Sequence, residues 1–449
     1  MRREVPYRPE RLMPVRTGEG TKRLKDRVRV ERARRAGALL RLVWLLVGPG
    51  ILVMLGENDG PSMLSYAATG ATFGIGAFLP FVVLTFAMAF VVQEATVRLG
   101  AASRTGHAEL IYRRFGPFWG QFAMIDLLVT NVLTLVTEFV AIEAGGRFFG
   151  IPPVASVLAA LLLVGSLPLL QQYWRWERVV LAIAGTNLIF VLVALLSHPH
   201  LGAVGRALVT GEPFPPVLNG RVLTILLSDV GATVTPWMLF FQQGAVSDKG
   251  VTARDVRLGR LDTALGALLA ALSGLAAIVA TSPLAHHLPV AAFQAARFAQ
   301  ALRPYAGTLG SALFAAGIME AGLVAITAIS TSTAYAFGEI TRKTHSLNAS
   351  PGEAPWFYAV LILVGAVAGS LVLVPGMPLE SIVLWVNVLA VLTMPPALVF
   401  LNLLANDGEI MGDLRNGPVT NLFQIAVTVF ICLAGTLYIL ALLVPSIGL

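Results

Sequence analysis

Cysteine is almost missing from this chain. A single Cys432 rules out an intrachain disulfide and with it a disulfide-stapled scaffold, and leaves the redox compartment open. Charge is scarce too. Only 13% of residues are Asp, Glu, Lys or Arg, against 56% hydrophobic, and the mean hydropathy is +0.76. A chain of 449 residues with so few polar groups cannot clothe a soluble globule of its size, so it reads as an all-α polytopic membrane protein. Histidine is thin and badly placed for chemistry inside a bilayer, since none of the six (107, 198, 200, 286, 287 and 345) falls in the core of an apolar run. No apolar run carries HExxH or a nucleophile with its base, which excludes a membrane-embedded hydrolase. An enzyme is not expected.

What is present begins with a basic block. Residues 1–41 hold fourteen Lys or Arg, from Arg2 to Arg41. Alone, such a block would suggest nucleic acid. Placed just before the first apolar run, it is instead the positive-inside signal, which puts the N-terminus in the cytoplasm and attracts anionic lipid headgroups. Nucleic-acid binding is not expected, nor is a cleaved signal peptide, because the first apolar run starts late and carries polar residues. Residues 1–37 are expected to form a largely disordered tail, and 38–449 the membrane domain.

Apolar runs long enough to cross about 30 Å of hydrocarbon fall at 38–72, 76–99, 118–149, 152–172, 177–197, 221–247, 262–284, 306–338, 355–374, 379–404 and 420–446. The connections on the N-terminal side of the membrane hold Arg104, Arg113, Arg114, Arg175, Arg178, Lys249, Arg254, Arg257, Arg260, Arg342, Lys343 and Arg415, while the opposite ones hold a scatter such as Arg206, Arg221, Arg297 and Arg303. Span count and charge bias agree.

Two runs are interrupted: the first at "ENDGP", residues 57–61, and the sixth at "GATVTPW", residues 231–237. Each has glycine and proline where a continuous helix wants neither. Breaks five spans apart point to an inverted repeat, about 38–197 and 221–404 with an extra helix at about 420–446, and to a site at mid-membrane where unwound backbone faces a cavity. An intramembrane Asp costs on the order of 3 kcal/mol unless something offsets it. A cation offsets it. Asp59, the Ser62 hydroxyl and carbonyls freed near Gly56 form one half of an oxygen site, and the Ala232 carbonyl with the Thr235 hydroxyl forms the other. Glu57 and Asn58 either hold the ion through its waters or cap the broken helix and tie its loose backbone. Thr235 has the alternative of satisfying carbonyls at the Pro kink.

These residues resemble the Nramp divalent-metal transporters. The likeness lies in "GPGILVMLGENDGPSMLSYAATGATFG", "VVQEATVRLGAASRTGHAEL", "GATVTPW", "LFAAGIMEAGLVAITA" and "LTMPPALVFLNLLANDGEIMGDLRNG", across roughly residues 40–420. It implies the LeuT-type fold, a 5+5 inverted repeat plus an eleventh transmembrane helix, with the first and sixth helices broken. The departures are as telling. Where the family reads DPGN, this chain has Asp59, Gly60, Pro61 and Ser62, so an amide ligand becomes a hydroxyl; where it reads Met-Pro-His, this chain has Thr235, Pro236 and Trp237. Loss of the thioether removes the soft donor that favours transition ions, and an oxygen-only site suits Mg²⁺, which keeps much of its water. In this the chain is similar to the Nramp-related magnesium transporters. Thr393, at the family's tenth-span Gln position, is a further cavity-lining candidate. Of the third-span acidic pair only Glu138 is present, with Ala141 at the second position and Glu143 two residues off; the ninth span has no arginine. Glu320 and Trp237 stay unassigned.

The expectation is therefore a carrier of divalent metal ions, Mg²⁺ first and also Mn²⁺, taken up partly hydrated by alternating access without proton coupling and without a cofactor. Two charges at about 2.3 kcal/mol each per 100 mV sustain a gradient of about a thousandfold by membrane potential alone. The alternatives are a proton-coupled Mn²⁺ or transition-metal carrier and a cation-coupled organic-solute symporter on the same fold. The expected setting is a monomer in a bacterial plasma membrane.

Overall fold

The computed structural model describes residues 26, 28–214, 220–285, 295–377 and 379–443. Among the described residues ten helices or helix runs are long and apolar enough to cross a bilayer, and the bent first segment raises the number to eleven. That first segment comprises α1 (Leu39–Leu46), α2 (Pro49–Glu57) and α3 (Gly60–Phe73). It is followed by α4 (Phe78–Ser103), the short α5 (His107–Phe115), α6 (Pro117–Phe148), α7 (Pro153–Ser166), α8 (Tyr173–Ala184) and α9 (Ile189–Leu196). After α10 (Leu201–Thr210), the second half runs through α11 (Gly220–Gly231), α12 (Pro236–Lys249), α13 (Val256–Thr281), α14 (Ala295–Ala301), α15 (Arg303–Thr341), α16 (Pro355–Val372) and α17 (Leu379–Ala405). The short α18 (Gly408–Met411) and α19 (Pro418–Leu443) close the described chain. Leucines facing outward, such as Leu162 at 74% and Leu268 at 65% exposure, are the lipid-facing surface of an integral membrane protein.

Both interruptions are where the sequence puts them. At the first, Asp59 is extended (φ −73°, ψ 176°) and caps α3, its carboxylate accepting from the Ser62 N–H at 2.8 Å. Pro61 sits in the first turn, where no N–H is required. Gly60 allows a close approach: a Cβ there would lie 2.2 Å from that of Ala141 on α6. At the second, α11 ends at Gly231 and α12 starts at Pro236.

Three differences from expectation have physical reasons. The first segment bends a second time, by 48° between α1 and α2, so a new helix starts at Pro49 inside the run expected to begin near residue 38. The cause is a cap supplied from another helix. The Asp262 carboxylate on α13 accepts from the N–H groups of Gly48, Gly50 and Ile51 at 2.9, 2.6 and 3.1 Å, which fixes a new helix start. The seventh crossing begins at Ala253 rather than 262, because Thr252 and Asp255 close a capping box ahead of the apolar run. The tail is not disordered throughout: residues 28–35 are helical, bury Val30 and Ala33 and pair Arg34 with Asp255. The rest of the expected tail, residues 1–25 and 27, lies outside the described residues, as do His286, His287 and the end of the extra helix beyond residue 443.

Candidate metal site at the paired helix breaks

The two breaks meet at one place. The Thr235 hydroxyl, at the start of α12, donates to Glu57 Oε2 at the end of α2, 2.7 Å away. Thr235 occupies the capping position of α12 yet makes no side-chain cap bond, because its hydroxyl is turned to the carboxylate instead. The second half of the gap is held by Tyr66 on α3, whose hydroxyl donates to the Ala232 carbonyl at 3.1 Å. Glu57, Asp59, Ser62, Ala232 and Thr235 are all buried, none more than 4% exposed.

A third carboxyl joins them. Glu138 Oε2 on α6 accepts from the Gly60 N–H at 3.0 Å, which sets this group beside Asp59. Buried polar atoms are normally paired, but Glu57 Oε1, Asn58 Oδ1, Glu138 Oε1 and Trp237 Nε1 have no hydrogen-bond partner among the described residues. Oxygens left over at a helix break are what a cation or its water shell would use. Among the described residues no three Asp, Glu, His or Cys side chains converge as a closed metal cage. What the breaks bring together is carboxylates mixed with a hydroxyl and main-chain carbonyls. Gly56 sits in the last turn of α2, where carbonyls lack helical partners. Trp237 walls this space, its ring edge 3.3 Å from where a Cβ on Gly56 would be.

Two of the expected donors also spend their N–H or O–H groups elsewhere, while Asn58 Oδ1 stays without a partner among the described residues. The Asn58 amide donates to the Ala270 carbonyl at 2.8 Å and to Asn187 Oδ1 at 3.2 Å, tying the break to α13 and to the turn between α8 and α9. Asn187 also donates to the Asn58 carbonyl at 3.3 Å and to Glu320 Oε2 at 3.4 Å, which gives Glu320 a partner. The Thr393 hydroxyl donates within its own helix, to Leu389 and Ala390. From α17 it is Asn387 that reaches across, to the Pro61 carbonyl at 3.4 Å. Glu143 pairs with Arg147 one turn on, at 2.6 Å.

Sequence reasoning overlooked Asp229. This fully buried carboxylate on α11 accepts from the hydroxyls of Ser65 at 2.8 Å and Thr69 at 2.9 Å, joining the second half of the first broken helix to the first half of the other. The rule that singled out Asp59, that a carboxylate in an apolar run needs a reason, applies equally to "LLSDVGA".

Fold and site together define a polytopic membrane carrier of the broken-helix type, not an enzyme. Comparison with protein families matches residues 50–441 to the natural resistance-associated macrophage protein-like (Nramp) description, and the chain belongs to that family. The divalent metal cation transporter MntH of Aeromonas hydrophila is 23% identical over 389 residues, covering 84% of this chain and 90% of that protein. MntH of Staphylococcus aureus is 27% identical over 213 residues, 45% of each chain. Among solved structures, the manganese transporter of Eremococcus coleocola superposes with a TM-score of 0.73 at 18% identity, covering 88% of this chain and 86% of that one. MhsT in complex with L-phenylalanine gives 0.58 at 15% identity, covering 88% and 98%, so the wider LeuT-like fold is shared as well.

Proposed function

We propose that the protein carries divalent metal cations across the membrane by alternating access, with the ion held between the two breaks by Asp59, Glu57, the Thr235 hydroxyl, Ser62 and the carbonyls of Gly56 and Ala232. The observation that carries this reading is the buried carboxylate pair at the junction, with oxygens left unpartnered and no sulfur among the donors. The printed names of the relatives, divalent metal cation and manganese transporters, support the class of cargo. A plasma-membrane monomer, with the basic end of the bundle facing the cytoplasm and anionic headgroups, is part of the same proposal.

Which ion is carried divides into two readings. Mg²⁺ without proton coupling is supported by this chain's own residues: a hydroxyl at 235 where the family has a thioether, and Trp237 where it has an imidazole. Mn²⁺ as cargo is supported by the relatives' names, which weigh more on the cargo, and a proton-coupled form of that transport is supported by Glu138, a carboxyl beside Asp59 with one oxygen unpartnered. Uptake into liposomes separates the two, with an Mg²⁺ dye, Mn²⁺ competition and a pH reporter followed together. Mg²⁺ uptake without acidification supports the first reading, and Mn²⁺ uptake with acidification and no Mg²⁺ response supports the second. Uptake of neither ion would overturn the proposed class of cargo.

A further inference from the structure

Far from the helix breaks, a crevice of about 540 Å³ opens between the tail helix, α1 and the start of α8. Three arginines line it, Arg29, Arg175 and Arg178, and among the described residues no carboxylate does. Arg178 is committed to the protein: it donates to the Trp44 carbonyl at 2.6 Å and stacks over the Trp44 ring at 3.7 Å. Arg29 meets Asp26 at 3.3 Å, with its side chain 55% exposed. Arg175 is exposed, and among the described residues its guanidinium has no ion pair. Among the described residues the three guanidinium groups have two carboxylates near them, Asp26 and Glu177, and Glu177 is already paired with Lys249, so positive charge is in excess and calls for an anion.

The rim tells which kind. Trp44 is 67% exposed, Val179 40% and Leu170 38%, and Leu39 and Leu40 on α1 are exposed beside them. An apolar rim with a tryptophan is the signature of the lipid–water boundary, where a dissolved anion gains nothing from leucines but an acyl chain does. Basic pockets between membrane helices on that side hold phosphate headgroups, and guanidinium groups fit phosphate oxygens in pairs. We propose that this crevice binds the headgroup of an anionic phospholipid, Arg29 and Arg175 reaching its phosphate while Trp44 and Arg178 form the wall. The occupant would bridge the tail helix to α1, which leads directly into the bend before the first crossing.

The test uses the full-length protein in a neutral detergent, with native mass spectrometry counting retained phosphatidylglycerol, phosphatidylcholine or inorganic phosphate. Wild type retains phosphatidylglycerol and not phosphatidylcholine, and retention weakens as salt rises. Removing both charges, Arg29→Gln with Arg175→Gln, lowers phosphatidylglycerol affinity about thirtyfold, and Arg175→Gln leaves the lipid-free melting temperature unchanged because that guanidinium has no ion pair to lose. If that pair misfolds, Arg175→Gln alone, at an exposed and unpaired position, lowers the affinity about fivefold. Equal retention of the two lipids, undiminished phosphatidylglycerol binding in the variants, or inorganic phosphate bound as tightly as the lipid would each overturn the proposal.

Discussion

Thr235→Val is the sharpest probe of the proposed site. Valine keeps the volume and branching of threonine but removes the hydroxyl that donates to Glu57 Oε2 at 2.7 Å. Glu57 Oε1 is already unpartnered among the described residues, so the variant strands both oxygens of a fully buried carboxyl. A hydrogen bond to a charged acceptor contributes about 1.5–3 kcal/mol. Protein stability should fall by about that amount, visible as a lower melting temperature in detergent. If the same hydroxyl also ligates the ion, the half-saturating Mg²⁺ concentration for liposome uptake rises by about 10- to 100-fold, whereas Thr235→Ser, which keeps the oxygen, stays close to wild type. The two readouts separate the two roles. A variant that melts earlier yet takes up Mg²⁺ with unchanged half-saturation would refute Thr235 as a ligand and leave it as the group that holds Glu57 in place.

Other expectations follow from the same geometry. Asp59→Asn retains a good helix cap for α3 while deleting the charge, so the variant should fold and be purified normally but lose uptake of every divalent ion; retained uptake would remove Asp59 from the site. Gly60→Ala places a Cβ 2.2 Å from that of Ala141, an overpacking worth about 1–3 kcal/mol, and Ala141→Gly in the same chain should restore the lost melting temperature. A single variant as stable as wild type would show that α3 and α6 separate freely. His107, between the second and third crossings and bonded to Gln243 at 2.8 Å, is pushed by burial down to about 4. Between that value and the ordinary one near 6.5, the unfolded chain binds a proton that the folded chain does not. Stability is therefore full above about pH 6.5 and falls by about 3 kcal/mol as pH drops toward 4. His107→Gln should flatten that slope in melts at pH 7 and pH 4.5, and an unaltered slope would assign it to other groups.

Much of the architecture was legible because a bilayer leaves few solutions. Backbone groups in hydrocarbon must bond within their own helix, so runs of apolar residues translate almost directly into crossings, and glycine and proline beside polar residues marked the two breaks, whereas Pro395 and Pro396 lie inside a continuous α17. Asp59 could be singled out for the same reason, since a carboxylate in such a run demands a partner. Helix boundaries at Pro49 and Ala253 were harder to read. One depends on Asp262, more than two hundred residues away in the chain, and the other on a polar capping box that hydropathy ignores.

Composition, charge bias and the positions of the two breaks thus determined by themselves that this is a polytopic membrane protein with two interrupted helices, because those are local properties read against a uniform solvent. Which oxygens face one another was decided only by the packed bundle. Thr235 turns to Glu57, the Asn58 amide N–H turns to Ala270 and Asn187 and leaves its oxygen unpartnered, Glu138 arrives from a third helix, and the Thr393 hydroxyl donates within its own. The rotation of each helix about its axis, which no single segment encodes, selects among donors that the sequence presents as equals.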